Sequence, residues 1–363
     1  MKKKYGITTE QKRTEVIETI KQKLQAKAYR LRRYKNRAKG YKQNKAFHDN
    51  KKALYNQICG KQVKAEQNPE RNQVLHYWKG IWENEVKHND KAKWIREVED
   101  ELNDVNEMTW NDIQPAEVTD AIKKTANWKA PGPDGIQNFW LKYFKALHGP
   151  LATAYNNMIN GSTEIPAWHT QGITNLIPKS KQTKEPKNFR PITCLSTMYK
   201  NLTAILTNRI YEHLMEEKLY PEEQKGNVKK SMGCKDQLLI SKMIAENCKK
   251  RKKSLSIAWI DYRKAFDTVP HSWIIKVMQM YKINRRIIEF TEQAMKKWTT
   301  SLTACIKGER IAYGKIEFKR GIFQGDSLSP LLFCMALFPI SKLLNKTQTG
   351  HQMQKGGTKI NHL

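Results

Sequence analysis

The apolar run Ser256-Ile-Ala-Trp-Ile260 ends on Asp261, where the chain turns into a helix-prone segment from Tyr262 to Asp267. A run this short reads as a strand, and it carries a carboxylate to the strand's C-terminal end. That position is poor for core packing and good for a hard cation, because Mg²⁺ takes oxygen ligands and keeps places for water and phosphate. The plainer reading is a carboxylate at a helix N-terminus, favoured by the helix dipole. A second constraint follows downstream in Arg320-Gly-Ile-Phe-Gln-Gly-Asp-Ser-Leu-Ser-Pro-Leu331, a glycine-flanked loop with a helix start at Ser329-Pro330.

Charge decides the class of partner. Sixty-six Lys and Arg against 35 Asp and Glu give a formal charge of +31, which points to a polyanion, RNA or DNA, bound through phosphates. The longest wholly apolar run, Leu331 to Ile340, is half of a bilayer span, and no signal-peptide core follows the first residues. No membrane partner is therefore expected. Cys59, Cys194, Cys234, Cys248, Cys305 and Cys334 are scattered without close pairs, which fits a reducing, intracellular compartment, nucleus or cytoplasm. The basic run from Lys249 to Lys253 resembles a short nuclear-localisation cluster.

Residues 1–60 hold 18 Lys and Arg against 4 Asp and Glu, and 61–130 hold 11 against 14. The first stretch reads as a helix from about Thr9 to Lys39, with Val16, Ile17, Ile20, Leu24, Leu31 and Tyr34 as an apolar stripe. Its Arg30, Arg32, Arg33, Lys35 and Arg37 would ride on phosphates; a solvated charged face is the alternative. The aromatic periodicity of Val74 to Trp82, and of Trp94 to Val105, reads as helix packing. Turn chemistry at Pro131-Gly-Pro-Asp-Gly135 precedes the aromatic helix candidate Phe139 to Phe144. Strands are expected over Gly172–Lys179 and Asn188–Cys194, placing Lys179 and Arg190 on one ribbon, where a guanidinium could hold two phosphate oxygens. Helices are expected over 196–219, where Arg209 reads as a solvated residue, and from Gly233 onward. Another runs from His271 to Met280 and a further one from Ile287 to Met295. A hairpin is expected around Gly308.

The stretches at Asp261 and at Gly325 together resemble motifs A and B of reverse transcriptases, particularly those of non-LTR (LINE-type) retrotransposons. The resemblance implies an α+β fold, a partial right-hand polymerase of fingers and incomplete palm, with a helical basic N-terminal extension. The expected division is 1–60 basic extension, 61–120 helical adaptor, 121–255 fingers and fingers–palm connection, and 256–363 incomplete palm. It implies RNA template, DNA primer or target DNA, and dNTPs as partners. Asp261, helped by the Tyr262 carbonyl, would ligate two Mg²⁺ ions. Arg190, with Lys179, would bind the triphosphate; Phe266 would oppose a 2′ hydroxyl; Gln324 would lie near the nucleotide, with Asp326 close to the same loop. Lys129, Gly135, Gln224 and Lys225 would touch nucleic acid. Asp267 reads as a local turn residue.

The paired aspartates of motif C do not occur after Leu331. The expectation is therefore a chain truncated before that motif and before the thumb, inactive alone, with an exposed partial sheet open to a protein partner. A non-catalytic RNA- or DNA-binding protein derived from such an enzyme is the competing reading. Group II intron-like or telomerase-like ancestry is a third.

Overall fold

The structure, a computed structural model, describes residues 10–58, 70–179, 184–229, 231–306, 309–347, 349–353 and 359–363. The chain divides into two compact units, 1–64 and 65–363. The described residues of the first unit form one helix, α1 (Glu10–Ile58), of 49 residues, roughly 74 Å long. It runs well past Lys39 because its Lys, Arg, Gln, Ala and Glu content favours helix, and Gly40 meets no neighbour that would force a break. The expected stripe is not buried: Leu24, Leu31 and Tyr34 are 68%, 57% and 52% exposed.

The second unit is α+β. Helices α2 (Arg71–Trp82), α3 (Lys93–Glu101), α4 (Pro115–Lys124), α5 (Asn138–Tyr143) and α6 (His148–Ile159) precede strands β1 (Gln171–Pro178) and β2 (Phe189–Leu195). Then come α7 (Thr197–Glu216), α8 (Cys234–Lys250), the single turn α9 (Ala265–Thr268), α10 (His271–Met280) and α11 (Arg285–Lys296). Strands β3 (Thr299–Ile306) and β4 (Glu309–Glu317), helix α12 (Ser329–Asn345) and a two-stranded ribbon at His351–Gln352 and Lys359–Ile360 complete it. The starts are written locally. Pro115 opens α4 with a capping box between Gln114 and Glu117, and the Asn284 side chain accepts from Arg286 N at the start of α11.

Two antiparallel hairpins, β1–β2 and β3–β4, join edge to edge through a parallel β1–β3 pairing, giving the order β2-β1-β3-β4. The turn expected at Gly308 lies outside the described residues. Buried hydroxyls reinforce the parallel seam: Thr174 Oγ1 lies 2.8 Å from both Thr193 Oγ1 on β2 and Thr300 Oγ1 on β3. Helix α2 packs on β4. Trp82 stacks between Trp78 and Phe318 at 4.5 and 4.4 Å, and Phe318 and Phe323 carry the aromatic column on to Trp298. Helix α7 buries Leu202, Ile205, Leu206, Ile210 and Leu214, the face its periodicity predicts, while Met215 of the same expected face is 47% exposed.

Two further expectations need correction. The strand over Ser256–Ile260 is not formed: residues 254–263 take no part in a sheet, and Ile257, Trp259 and Ile260 are 52%, 78% and 79% exposed. A strand exists only through pairing, and no described residue pairs with this one. Arg209 is not a solvated residue. It forms a bidentate pair with Glu117 at 2.8 Å through both nitrogens, and its guanidinium lies over the Trp110 ring. Burial pushes the Glu117 carboxyl up, but the Arg209 pair outweighs it and holds the group below its ordinary range. No helix among the described residues is long and apolar enough to cross a membrane.

Candidate active site

Three segments distant in sequence meet around α9. Lys264 adopts a left-handed conformation, φ +57°, which turns the chain into α9 and leaves its ammonium 4.2 Å above the Trp78 ring. The loop after β4 is then stitched to α9 by backbone bonds. Gly321 N donates to Val269 O and Ile322 N to Phe266 O, both at 2.8 Å. His271 Nε2 lies 2.8 Å from Gly321 O, so the ring donates there. On its other side the loop meets β2, where Thr193 N donates to Gln324 O at 2.9 Å. Because β2 is the sheet's edge strand, this contact also covers an edge.

Asp267 sits inside the junction. It is 2% exposed, and the Gln324 amide reaches its oxygens at 3.4 and 3.5 Å. Burial pushes its carboxyl up to about 6, against the pull of Lys264, the Gln324 amide and Lys179. The unfolded value is 3.8, so the folded chain binds this proton more tightly. The associated stability is full below about pH 4 and is lost as pH rises through about 6, on the order of 2–3 kcal/mol. Asp267→Asn, neutral at every pH, is expected to match the parent near pH 4 and exceed it near pH 7 in urea unfolding. Parallel curves for the two proteins across that range would show that Asp267 does not carry the slope.

The sequence-predicted residues fall into distinct environments. Ile177 pairs with Arg190, and Lys179 N donates to Asn188 O at 2.9 Å, so Lys179 and Arg190 share one face of the β1–β2 ribbon. Both are exposed, and the Lys179 charge is felt at Lys264 and Asp267. Such a ribbon can present two cations to a polyphosphate. Phe266 is half-buried and stacks on Phe333 of α12 at 4.9 Å. Asp261 and Tyr262 lie exposed in the unpaired 254–263 segment. The Gln224 amide turns inward, donating to Gly226 O at 3.0 Å and facing Cys334 Sγ at 3.5 Å, with Lys225 half-buried beside it. Arg30 lies over the Tyr34 ring on α1, 5.7 Å from its centroid, and Arg32, Arg33, Lys35 and Arg37 are exposed there.

The Pro131–Gly135 turn has a structural task that its composition does not reveal. Asp134 accepts from Ser196 Oγ at 2.8 Å and Thr197 N at 3.1 Å, which caps α7 from a loop far away in sequence. A Cβ at Gly132 would stand 2.3 Å from the Leu195 carbonyl carbon. Lys129 is exposed beside this turn, as is Gly135, whose φ is +66°. Asp326 is equally inward: Thr203 Oγ1 donates to it at 2.6 Å and Ser327 N at 2.8 Å, and burial pushes its carboxyl up to about 6.

A pair of magnesium ions does not fit this set. Among the described residues no three His, Cys, Asp or Glu side chains are grouped to hold a metal ion. Asp267 is turned into the fold, and Asp261 belongs to no such group among the described residues.

The family described as Reverse transcriptase (RNA-dependent DNA polymerase) matches residues 177–359, half of the chain. The chain is 32% identical over 227 residues to a Pol polyprotein of the type-1 retrotransposable element R2 from Popillia japonica, covering 62% of this chain and 30% of that protein. It is 28% identical over 208 residues to the type-2 element R2DM polyprotein of Drosophila melanogaster, covering 57% and 18%. It is 26% identical over 239 residues to the transposon TX1 uncharacterized 149 kDa protein of Xenopus laevis, covering 64% and 17%. The chain thus spans less than a third of the length of these curated relatives.

Proposed function

Because the chain belongs to the reverse transcriptases of non-LTR (LINE-type) retrotransposons, we propose that it forms the fingers and part of the palm of an RNA-directed DNA polymerase. The supporting observation is the junction at α9, where the Lys179–Arg190 ribbon and the Gly321–Gly325 loop meet the segment that follows Asp261. In this reading Arg190 and Lys179 hold the triphosphate of a dNTP. Gln324 and Tyr262 border the nucleotide, and Phe266, braced by Phe333, crowds a 2′ hydroxyl. Lys129, Gly135 and Lys225 line the path of the RNA template and its DNA primer, with Gln224 bracing the loop behind them. Arg30, Arg32, Arg33, Lys35 and Arg37 hold nucleic acid along α1 through phosphate contacts.

These residues bind and position; they do not complete the chemistry. Asp261 belongs to no group of three metal-ligating side chains among the described residues, and in this reading the chain holds nucleotide and nucleic acid without incorporating. The test is primer extension on an RNA template with Mg²⁺ and dNTPs, run beside an RNA-binding titration. Binding without incorporation is expected, together with photo-crosslinking of an azido-dATP that Arg190→Ala abolishes. Incorporation by the parent chain that Asp261→Ala removes would overturn the inactive reading. Crosslinking indifferent to Arg190 would overturn the nucleotide assignment.

A further inference from the structure

The Trp128 loop and α5 carry an exposed aromatic surface. Trp128, Trp140, Tyr143 and Phe144 are 65%, 49%, 63% and 53% exposed, and their rings form one connected set through the half-buried Phe139. Trp128 stacks on Phe139 at 4.6 Å and 15°, Tyr143 lies 4.6 Å from Phe139, and Trp140 stacks on Phe144 at 5.8 Å and 17°. Exposed aromatic area of this extent is uncommon on a chain without a partner for it.

The support beneath the rings is rigid. Buried Asn138 donates from Nδ2 to Ile122 O and Thr125 O at 3.1 and 3.0 Å, closing the C-terminal end of α4. Lys142 Nζ donates to Thr125 O and Asn127 Oδ1 at 3.1 and 2.8 Å, and Phe139 N donates to Asn127 O at 3.1 Å. These bonds fix the Trp128 loop against α5, so the rings are ordered before any ligand arrives.

Charge identifies the ligand. Residues 121–147 contain Lys123, Lys124, Lys129, Lys142 and Lys145 against one carboxylate, Asp134, which is turned inward to cap α7. Asp120, on the preceding turn, pairs with Lys123 at 3.6 Å. A cleft of about 450 Å³ beside the rings is lined by Lys123, Lys142, Tyr143 and Lys145. Apolar ring faces next to lysines match a strand whose bases are free to stack and whose phosphates need cations. A duplex hides its base faces and would gain from the lysines only.

We propose that Trp128, Trp140, Tyr143 and Phe144 form a stacking platform for single-stranded nucleic acid, with Lys123 and Lys145 taking the phosphates. Of the lysines in this stretch only Lys129 belongs to the reading above; the rings and the phosphate-binding lysines have no part in it.

The test uses the full chain and an oligonucleotide containing 2-aminopurine, whose fluorescence falls when the base stacks. Binding is measured at raised salt, where purely electrostatic contacts weaken. The parent is expected to quench the probe, and Trp128→Ala/Trp140→Ala to abolish the quench and weaken single-strand binding roughly ten- to a hundredfold. Duplex affinity should not change. Trp128→Phe/Trp140→Phe should keep the quench, and Lys123→Ala/Lys145→Ala should keep it while flattening the salt dependence. No quench by the parent, or an unchanged quench in the alanine variant, would overturn the platform. So would equal loss of single-strand and duplex binding, or reduced self-association with quenching intact, which would mark a protein-docking face. The assay contains neither metal nor dNTP, so its failure leaves the primer-extension result to be judged separately.

Discussion

Gly325→Ala is expected to destabilise the second unit by about 3 kcal/mol or more, read as a lowered urea midpoint. Gly325 has φ +142°, and a Cβ there would stand 2.2 Å from Thr193 O. Neither partner can give way cheaply, because the obstacle is the backbone of β2. The neighbouring bond from Thr193 N to Gln324 O fixes the loop against that strand. Gly135 provides the internal control. Its φ is +66° but nothing lies within 4 Å of the Cβ position, so Gly135→Ala should cost only about 1 kcal/mol. Equal effects at the two sites would mean that conformation, rather than close approach to β2, sets the cost.

Trp82→Ala should cost about 3–5 kcal/mol, since it opens a large cavity at a position 1% exposed. The loss reaches the site because Trp82 is the middle of a column. Lys264 lies over Trp78, Trp78 stacks on Trp82, and Trp82 stacks on Phe318, just before the Gly321 loop. The Trp82 carbonyl also accepts from Lys319 N at 2.7 Å. Limited proteolysis around Arg320 should therefore accelerate together with the fall in unfolding midpoint. Trp140→Ala, which removes a half-exposed ring, should leave the midpoint within about 0.5 kcal/mol. A comparably small change for Trp82→Ala would show that the column does not brace the loop.

What was legible in the sequence was local. The strand candidates at β1 and β2 put Lys179 and Arg190 on one ribbon, because side-chain direction along a strand follows from spacing. Helical spacing marked Val74, Trp78 and Trp82, and the Leu202–Leu214 face. What was not legible depends on partners supplied from far away. Asp134 reads as a turn residue until Ser196 and Thr197 arrive beside it. Arg209 reads as solvated until Glu117 and Trp110 close over it. Asp267 lies six residues after Asp261 and reads as local, yet its surroundings include Gln324 and Lys179. The segment 256–260 has strand-like composition, but composition does not supply a neighbour to pair with.

The parallel seam between β1 and β3 sets the order in which this fold can assemble. Each hairpin closes a short stretch of chain, whereas the bond from Thr303 to Asn175 links residues 128 positions apart. Closing that distance carries an entropic cost that one pair of strands repays only when the intervening helices have condensed. The hairpins should therefore form early and the seam late. Weakening the seam through Thr300→Val, which removes the hydroxyl that meets Thr174 across it, should then act mainly by accelerating unfolding, with refolding nearly unchanged.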